Sequence, residues 1–231
     1  MSDSVRRLHE GRTSKNPKHR ILRWLTPPAP LVLNPREPAD FPLGRWNLYI
    51  GGAGNDTPGY VNIDLFPLPG VNVVCDAHRL PFREDIFTRV ECDAVLEHVA
   101  EPDVVMREIE RVLAPGGFAH IVAPFCHPLH EYPSDYRRFT PAALLRMAGL
   151  LEPVAQGWRT GPTATLLLFL IEYGKLWASR PIFRMAIHGV LGWALFPARY
   201  LDLLLFRRPE AARLGNHSYL WLRKPPASAL D

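Results

Sequence analysis

Short apolar runs that stop at glycine or at a carboxylate dominate the first half of the chain. Residues 48–50 form one such run, which ends at the glycine-rich stretch 51–54, and residues 61–63 form a second, which ends at Asp64. Runs of this length between turn residues predict buried strands. Three further runs have the same character, at residues 71–75, 87–92 and 118–123. The pattern therefore predicts at least five strands.

Two helices and two late strands complete the predicted core. Apolar residues recur with helical spacing from Pro102 to Leu113 and stop before Pro115, whereas Thr140 and Pro141 are a typical helix start. Further strands are predicted at residues 153–158 and 217–225, the latter as a closing edge strand. Alternating strands and helices predict an α/β fold, a Rossmann-like, mostly parallel sheet flanked by helices, with ligands at the carboxyl ends of the strands.

The first connection of this sheet is unusually short. Only ten residues separate Gly54 from Asp64, and Pro58 and Gly59 lie between them. A full crossover helix does not fit, so we expect it to be lost or cut to about one turn. Glycines let a ligand approach the backbone, and an acid closing the next strand can accept both hydroxyls of a ribose. A glycine-rich hairpin ending in a surface aspartate is the simpler alternative.

The shortened crossover bears on the choice of ligand. In dinucleotide-binding proteins the pyrophosphate rests on the N-terminus of the helix that this connection lacks. The spacing therefore disfavours an NAD site, and with it a nicotinamide-dependent oxidoreductase. A ligand that has a ribose but no pyrophosphate would be affected less.

Composition and charge fit one globular domain with appended segments. The 231 residues are 47% hydrophobic and 22% charged, with a formal net charge of +4. We divide the chain into a basic tail and extended arm (1–40), an α/β core (41–160), an apolar helical insertion before the last strand (161–214), and a closing strand and tail (215–231). The basic tail permits nucleic-acid binding, which we nevertheless disfavour because aromatic residues are scarce there.

The cysteines and the N-terminus bear on the compartment. Cys75, Cys92 and Cys126 are odd in number, lack a CxxC pair and lie in apolar runs, which favours reduced thiols. The first residues lack the apolar stretch of a signal peptide. We expect a cytoplasmic protein, with membrane association as an open alternative.

Five short motifs resemble a known family when taken in order. The succession YIGGAG, VNIDL, CDAHRLPF, VLEHV and RVLAPGG, within residues 46–150, resembles the class I S-adenosylmethionine-dependent methyltransferases, in particular the type 11 group. The resemblance implies S-adenosylmethionine as cofactor. It also implies that the glycine loop meets the methionine part, that the acid of VNIDL holds the ribose, and that the acid of CDAHRLPF contacts the adenine amino group. The implied cofactor-binding residues are Gly51, Gly52, Gly54, Asp64, Leu65, Asp76 and Ala77.

This sequence departs from the family's glycine pattern at one position. The usual loop reads GxGxG, and Ala53 stands at its second glycine if the loop starts at Gly51. A loop that starts at Gly52 would place Gly54 second. Both registers stay open.

Candidate catalytic residues follow the fourth and fifth strands. Methyl transfer needs mainly positioning and desolvation, with a general base when the acceptor is a poorly acidic hydroxyl. His98, His130 and Tyr136 are our candidates for orienting or deprotonating the acceptor. His98 and Glu97 could instead only stabilise their loop. Arg137 is expected to pair with Asp135 or with an anionic substrate group.

A metal site in the loop after the fifth strand is a weaker alternative. His127, His130 and Glu131 suggest one, but the loop has no fixed helical register and no third convincing ligand. We therefore predict no metal.

The insertion at residues 161–214 is strongly apolar, yet charged residues interrupt it. No uninterrupted run reaches the roughly 18 residues of a spanning helix, so we expect two or three helices. These helices could enlarge the core or form a homodimer interface, lie on an anionic membrane surface, or form a lid over an amphipathic substrate.

Together these features predict an S-adenosylmethionine-dependent methyltransferase for a small-molecule or lipid-linked acceptor, with transfer to oxygen. The rival interpretation is a non-catalytic peripheral membrane or interaction protein that keeps the fold. Methylation of nucleic acid is disfavoured because no NPPY-type motif is present.

Overall fold

A computed structural model describes residue 41 and residues 43–52, 57–205 and 207–226. The predicted basic tail and arm therefore lie almost wholly outside the described residues. The described chain forms a seven-stranded sheet with helices, in the order β3-β2-β1-β4-β5-β7-β6. The strands are β1 (Asn47–Ile50), β2 (Val61–Asp64), β3 (Val73–Val74), β4 (Phe87–Asp93), β5 (Leu113–Pro124), β6 (Glu152–Trp158) and β7 (His217–Arg223).

Parallel pairing runs through the first five strands. β1 pairs with β2 and β4, β2 with β3, and β4 with β5, all in parallel. β7 is antiparallel to both β5 and β6. The mostly parallel, Rossmann-like α/β fold predicted from the sequence is thus confirmed.

The expectation that residues 217–225 form the closing edge strand is wrong, because β7 is not at the edge of the sheet. It lies between β5 and β6, which leaves β6 at the edge. The burial explains the order: residues 218–222 of β7 are buried, whereas Glu152, Pro153 and Val154 of β6 are exposed. The more apolar strand occupies the position that is covered on both sides.

The run at residues 71–75 is also not the buried strand that its composition predicted. Only Val73–Val74 pairs with the sheet, and the Val74 side chain is 53% exposed. β3 is the edge beyond β2. A short edge strand buries one side only, which explains why this apolar run remains partly exposed.

The helices are α1 (Pro102–Val112), α2 (Pro141–Arg146), α3 (Pro162–Lys175), α4 (Pro181–Leu195) and α5 (Asp202–Leu205), with short 3₁₀ segments at Leu96–His98, Phe196–Leu201 and Pro209–Leu214. α1 begins at Pro102 and ends before Pro115, as its spacing predicted. α2 begins at Pro141, and the Thr140 hydroxyl accepts the Ala143 N–H, which confirms the predicted cap.

The connection from β1 to β2 contains a turn in place of a helix in the part that the structure describes (residues 51–52 and 57–60). The Gly51 N–H donates to the Ile63 carbonyl at 2.9 Å, so the two strands stay paired to their ends. The buried Asn47 side chain donates to the Gly59 carbonyl at 2.9 Å and so attaches the turn to β1. The loss of the first crossover helix is consistent with this geometry.

The two faces of the sheet differ in chemistry. One face carries the main apolar core, with Leu48, Ile50, Val90 and Ile121 among its buried side chains. The opposite face carries buried polar residues, and a smaller apolar cluster formed by Phe41, Phe118, Val122, Tyr219 and Trp221. Alternation along each strand produces this division.

A buried carboxylate joins two helices within the insertion. Asp202 is fully buried and accepts the Thr163 N–H at 2.7 Å and the Ala164 N–H at 2.9 Å. These are free donors of the first turn of α3, so a distant residue caps that helix. Throughout the described ranges, no helix is long and apolar enough to cross a membrane.

Candidate active site

A cavity of about 350 Å³ opens at the carboxyl ends of β1, β2 and β4. Ligand sites of open α/β sheets lie at this edge, and the volume falls within the range of small-molecule sites. Its walls come from the ends of the three strands, from residues 75–78, and from the loop around residue 134. The lining residues include Gly51, Asp64, Leu65, Asp76, Ala77, His78, Val95, His98, Tyr132, Ser134 and Tyr136.

Gly51 ends β1 in a conformation that favours glycine. Its φ is +69°, and a Cβ added there would collide with the Val95 side chain. The backbone at Gly51 therefore borders the cavity without a side chain in the way. Gly52 is buried next to it, and Gly54 lies outside the described residues.

Asp64 lies at the end of β2 on the cavity wall. Its side chain is mostly buried, with 8% of the residue exposed, and Oδ1 accepts the Phe66 N–H at 3.0 Å. That bond fixes the carboxylate at the strand end. Leu65, the next residue, is 55% exposed and also lines the cavity. An acid and an apolar side chain thus stand side by side at the ligand edge.

Asp76 and Ala77 lie on the wall beyond Asp64. The His78 N–H donates to Asp76 Oδ1 at 2.9 Å, and the His78 ring Nδ1 lies 2.6 Å from the same oxygen. The backbone bond, with help from the ring, holds the pKa of Asp76 below its usual value although partial burial opposes this. Asp76 is therefore an ionised acceptor.

The opposite wall is built by the turn after β4 and the loop after β5. Ala94 has a φ of +55°, and its N–H donates to the Val122 carbonyl, which turns the chain sharply into the 3₁₀ segment. The His98 Nδ1 lies 2.6 Å from the Ser134 carbonyl, and the Tyr136 N–H donates to the Glu97 carbonyl at 2.7 Å. These bonds attach the loop to the turn.

The three catalytic candidates have different positions. His98 and Tyr136 line the cavity, and Tyr136 is 56% exposed. His130 lies behind His98, with ring centroids 4.9 Å apart, and is absent from the described cavity wall. Its Nε2 lies 3.5 Å from Glu97 Oε1, and this carboxylate is the main cause that raises the pKa of His130.

Asp135 organises the loop, but with a different arginine from the one expected. Arg138 Nη2 donates to Asp135 Oδ2 at 2.7 Å, whereas Arg137 donates to the Ala100 carbonyl. The pairing of Arg137 with Asp135 is therefore wrong, whereas its alternative, an anionic substrate group, stays a prediction. The Arg138 bond is the main cause that lowers the pKa of Asp135 to about 2. Asp135 also accepts the His130 N–H at 2.8 Å, which positions that histidine.

Two further histidines stand beside this loop as neutral groups. Burial lowers the pKa of His127, and it lowers the pKa of His217 to about 3. His127 Nδ1 lies 2.8 Å from the Pro128 carbonyl, and Glu131 is exposed. The trio of His127, His130 and Glu131 weighed from the sequence is not the group that the fold brings together. Instead, ligand atoms of Glu97, His98 and His130 lie within 4.8 Å of one another.

Glu97 is the residue whose importance the sequence did not reveal. Its side chain has no exposed surface, and within the described structure neither carboxylate oxygen has a hydrogen-bond partner. A glutamate in the motif VLEHV is expected at a loop surface on composition alone. Only the packing of the loop over the turn buries it.

The charge of the cavity wall is acidic. Asp64 and Asp76 line it, and neither lysine nor arginine occurs among the described residues of the wall. A pyrophosphate would find no cation there, whereas a cationic ligand meets two carboxylates.

Sequence comparisons agree with this geometry. A family model described as a methyltransferase domain matches residues 61–121. The demethylmenaquinone methyltransferase of Streptomyces avermitilis is 31% identical over 144 residues, which is 62% of this chain and 52% of that protein. The protein of the same name from Mycobacterium tuberculosis is 36% identical over 142 residues, 58% of this chain and 53% of that one. The chain spans about half the length of these relatives.

Two solved structures share the fold. The [4+2]-cyclase SpnF has a TM-score of 0.51 at 18% identity, covering 80% of this chain and 76% of that chain. A protein assigned as sarcosine dimethylglycine methyltransferase from Galdieria sulphuraria has a TM-score of 0.50 at 15% identity, covering 78% of each. At such identities the likeness concerns the fold. Residues 61–121 thus match a methyltransferase domain, and the chain is similar over about half their length to proteins named demethylmenaquinone methyltransferase.

Proposed function

We propose that the chain binds S-adenosylmethionine in this cavity and transfers its methyl group to a small, lipid-linked acceptor. The proposal rests on Gly51 and Asp64, which lie at the ends of two paired strands on one cavity wall. Gly51 exposes its main chain there without a side chain, and Asp64 presents a carboxylate held by a hydrogen bond. Asp64 suits the two ribose hydroxyls, and Gly51 lets the methionine part approach the main chain. The described part of the wall carries two aspartates and no lysine or arginine, which suits a sulfonium better than a dinucleotide.

The remaining cofactor contacts are assigned from the same wall. Leu65 offers an apolar surface for the adenine ring. Both contacts of His78 use Oδ1 of Asp76, which supports Oδ2 as the acceptor of the adenine amino group. We assign the Ala77 backbone as the contact of the adenine ring. Bound S-adenosylmethionine supplies a methyl group that is already activated for displacement, so these residues contribute binding and orientation.

The acceptor wall carries the groups that can hold a proton. His98 reaches the cavity, and its Nδ1 is engaged by the Ser134 carbonyl, which directs the basic function to Nε2. We assign His98 as the base for an acceptor hydroxyl, Tyr136 as the group that orients the acceptor, and His130 as a positioning residue behind them. Transfer to oxygen is part of this proposal.

A lipid-linked acceptor is supported by the relatives and by the insertion. The relatives are named for demethylmenaquinone. The insertion of this chain exposes large apolar side chains, with Trp177 at 79%, Leu176 at 73% and Leu204 at 74% exposure. Seven lysines or arginines stand against three acids in residues 161–214. Apolar residues among cations favour contact with an anionic membrane, from which such an acceptor would be drawn.

The direct test is a turnover assay on the full chain. Protein, S-adenosylmethionine and chemically reduced demethylmenaquinone in anionic vesicles are mixed, and S-adenosylhomocysteine is measured over time. We expect acceptor-dependent product that falls to background in Asp64→Ala but not in the matched control Asp103→Ala, an exposed acid of α1. Fragmentation of the product by mass spectrometry separates oxygen from carbon methylation.

Absence of turnover by a protein that still binds S-adenosylhomocysteine would contradict the proposed reaction. The non-catalytic peripheral protein would then be the better interpretation, since proteins with this fold do not share one activity.

A further inference from the structure

We propose that Glu97, His98 and His130 form a binding site for one divalent transition-metal ion at the acceptor end of the cavity. Each residue offers one ligand atom, and all three atoms lie within 4.8 Å of one another. Two imidazoles and one carboxylate are an established ligand set for Zn²⁺ in sites that keep an open fourth position.

The distances are close to those that an ion requires. Glu97 Oε1 lies 3.5 Å from His130 Nε2 and 3.7 Å from His98 Nε2. Zinc bonds of about 2.0–2.1 Å in tetrahedral geometry place two ligand atoms about 3.3–3.4 Å apart. The two separations from Glu97 need to change by only a few tenths of an ångström, whereas the two imidazole nitrogens, which lie within 4.8 Å of each other, would approach each other on binding the ion. The separations from Glu97 are longer than an ordinary hydrogen bond.

The burial of Glu97 is the independent observation that points to a ligand. The side chain has no exposed surface, and neither of its oxygens has a hydrogen-bond partner in the described structure. A buried carboxylate is strongly unfavourable unless it is paired or coordinates a metal, and Glu97 has two imidazoles at 3.5 and 3.7 Å but no hydrogen bond in the described structure. A cation held by Glu97 and two imidazoles would satisfy this carboxylate.

The nitrogen that would bind is Nε2 in both rings, since both Nε2 atoms face Glu97. The Ser134 carbonyl, 2.6 Å from His98 Nδ1, is the usual support of a metal-binding histidine. His130 Nδ1 lies 3.4 Å from Asp135 Oδ2 without a hydrogen bond in the described structure. Arg138 is close, but its charge is paired with Asp135.

The location gives the ion a role. His98 lines the cavity beside Tyr132 and Tyr136, so the open coordination position would be next to the proposed acceptor. With the ion bound, His98 Nε2 would be a ligand and could not also act as the base; an acceptor hydroxyl bound to the ion would instead lose its proton to water at lower pH. This role rests on the proposed function, whereas binding of the ion does not.

The test uses the full chain stripped with a chelator and titrated with Co²⁺, with visible absorption as the readout and Zn²⁺ as the competitor. We expect one ion per chain, displaced by one Zn²⁺. Removing a ligand should weaken binding by more than about 100-fold, since losing a supporting residue alone costs 10–100-fold. The variants are Glu97→Gln, His98→Gln and His130→Gln.

The matched control is His127→Gln. His127 belongs to the same loop, and its ring lies 4.5 Å from that of His130, but it is not in the metal group. It should bind the ion as the parent does. No Co²⁺ or Zn²⁺ binding by the parent, or equal binding by the parent and the three ligand variants, would overturn the inference.

Calorimetry with S-adenosylhomocysteine on each variant separates the two proposals. A folded parent that binds S-adenosylhomocysteine but no metal overturns the metal site and leaves the cofactor site intact. A parent that binds the metal but not S-adenosylhomocysteine overturns the cofactor site and leaves the metal site intact.

Discussion

Oε2 of Glu91 lies 2.7 Å from Nδ1 of His120 on the neighbouring strand, and both side chains are buried. The other oxygen, Oε1, accepts the Arg89 Nε–H at 2.7 Å. Trp221 covers the group, with its ring stacked on His120 at a centroid distance of 4.2 Å. The second face of the sheet is thus held by a polar network under an aromatic ring. In this buried environment a polar group that loses its hydrogen-bond partner destabilises the fold.

Glu91→Ala should therefore destabilise the fold strongly. Burial tends to raise the pKa of Glu91, but His120 and Arg89 outweigh it and hold the pKa below its usual value. Removing the carboxylate takes away the buried acceptor of the Arg89 Nε–H and the neighbour of His120 Nδ1, which costs about 3–5 kcal/mol. Urea unfolding at neutral pH measures the loss. Glu152→Ala on the exposed end of β6 is the control, with an expected change within about 0.5 kcal/mol. Equal losses in the two variants would contradict this account.

Asp135 should make the fold sensitive to acid. Its pKa falls from 3.8 to about 2 in the folded state, chiefly through the hydrogen bond from Arg138. A lowered folded pKa gives stability that is present above pH 3.8 and is lost as the pH falls through about 2. The shift corresponds to about 2 kcal/mol.

The measurement is urea unfolding of the parent and of Asp135→Asn between pH 7 and pH 2. We expect the parent to be about 2 kcal/mol more stable at pH 7 and the difference to close toward pH 2. A difference that stays constant over this range would show that the Arg138 pair is not its source.

Asp202→Ala should loosen the insertion. The variant leaves two N–H groups at the start of α3 without their acceptor, which costs about 2 kcal/mol. Hydrogen exchange is the measurement, and we expect faster exchange in the first turn of α3 with little change in β4. Glu210→Ala, an exposed acid of the same insertion, is the control. Unchanged exchange at Thr163 and Ala164 would rule out the cap.

Arg180 and Arg184 should contribute to membrane contact. Both are exposed beside the apolar surface of the insertion. Each cation near an anionic surface contributes about 1 kcal/mol, so Arg180→Ala with Arg184→Ala should weaken binding to anionic vesicles about 30-fold. Sedimentation with phosphatidylglycerol vesicles measures this, and Arg83→Ala on the core is the control. Equal binding by all three proteins would remove the membrane proposal.

Features fixed by neighbouring residues could be predicted from the sequence. The ends of β1 and β2 follow from apolar runs that stop at Gly51 and at Asp64, and the short connection follows from a simple residue count. Thr140 and Pro141 fix the start of α2 in the same way. Each of these signals lies within a few residues of the feature that it determines.

Features that depend on distant partners could not be predicted. β7 lies between β5 and the more polar β6, which takes the edge of the sheet. The order of the two strands in the sequence had suggested that β7 would be the edge strand. Glu97 and His130 are 33 positions apart, and only the folded loop brings them together. Asp202 caps a helix that begins 40 residues earlier. Long-range packing decided all three.

The cofactor site is tested most directly by calorimetric titration of the full chain with S-adenosylhomocysteine, alongside Asp64→Ala and Asp103→Ala. We expect saturable binding at one site in the parent and in Asp103→Ala, and no binding of NAD. Loss of two hydrogen bonds to a charged group should weaken binding by at least about 100-fold in Asp64→Ala. Equal affinity of a folded Asp64→Ala for S-adenosylhomocysteine, or no binding by the parent, would contradict the account.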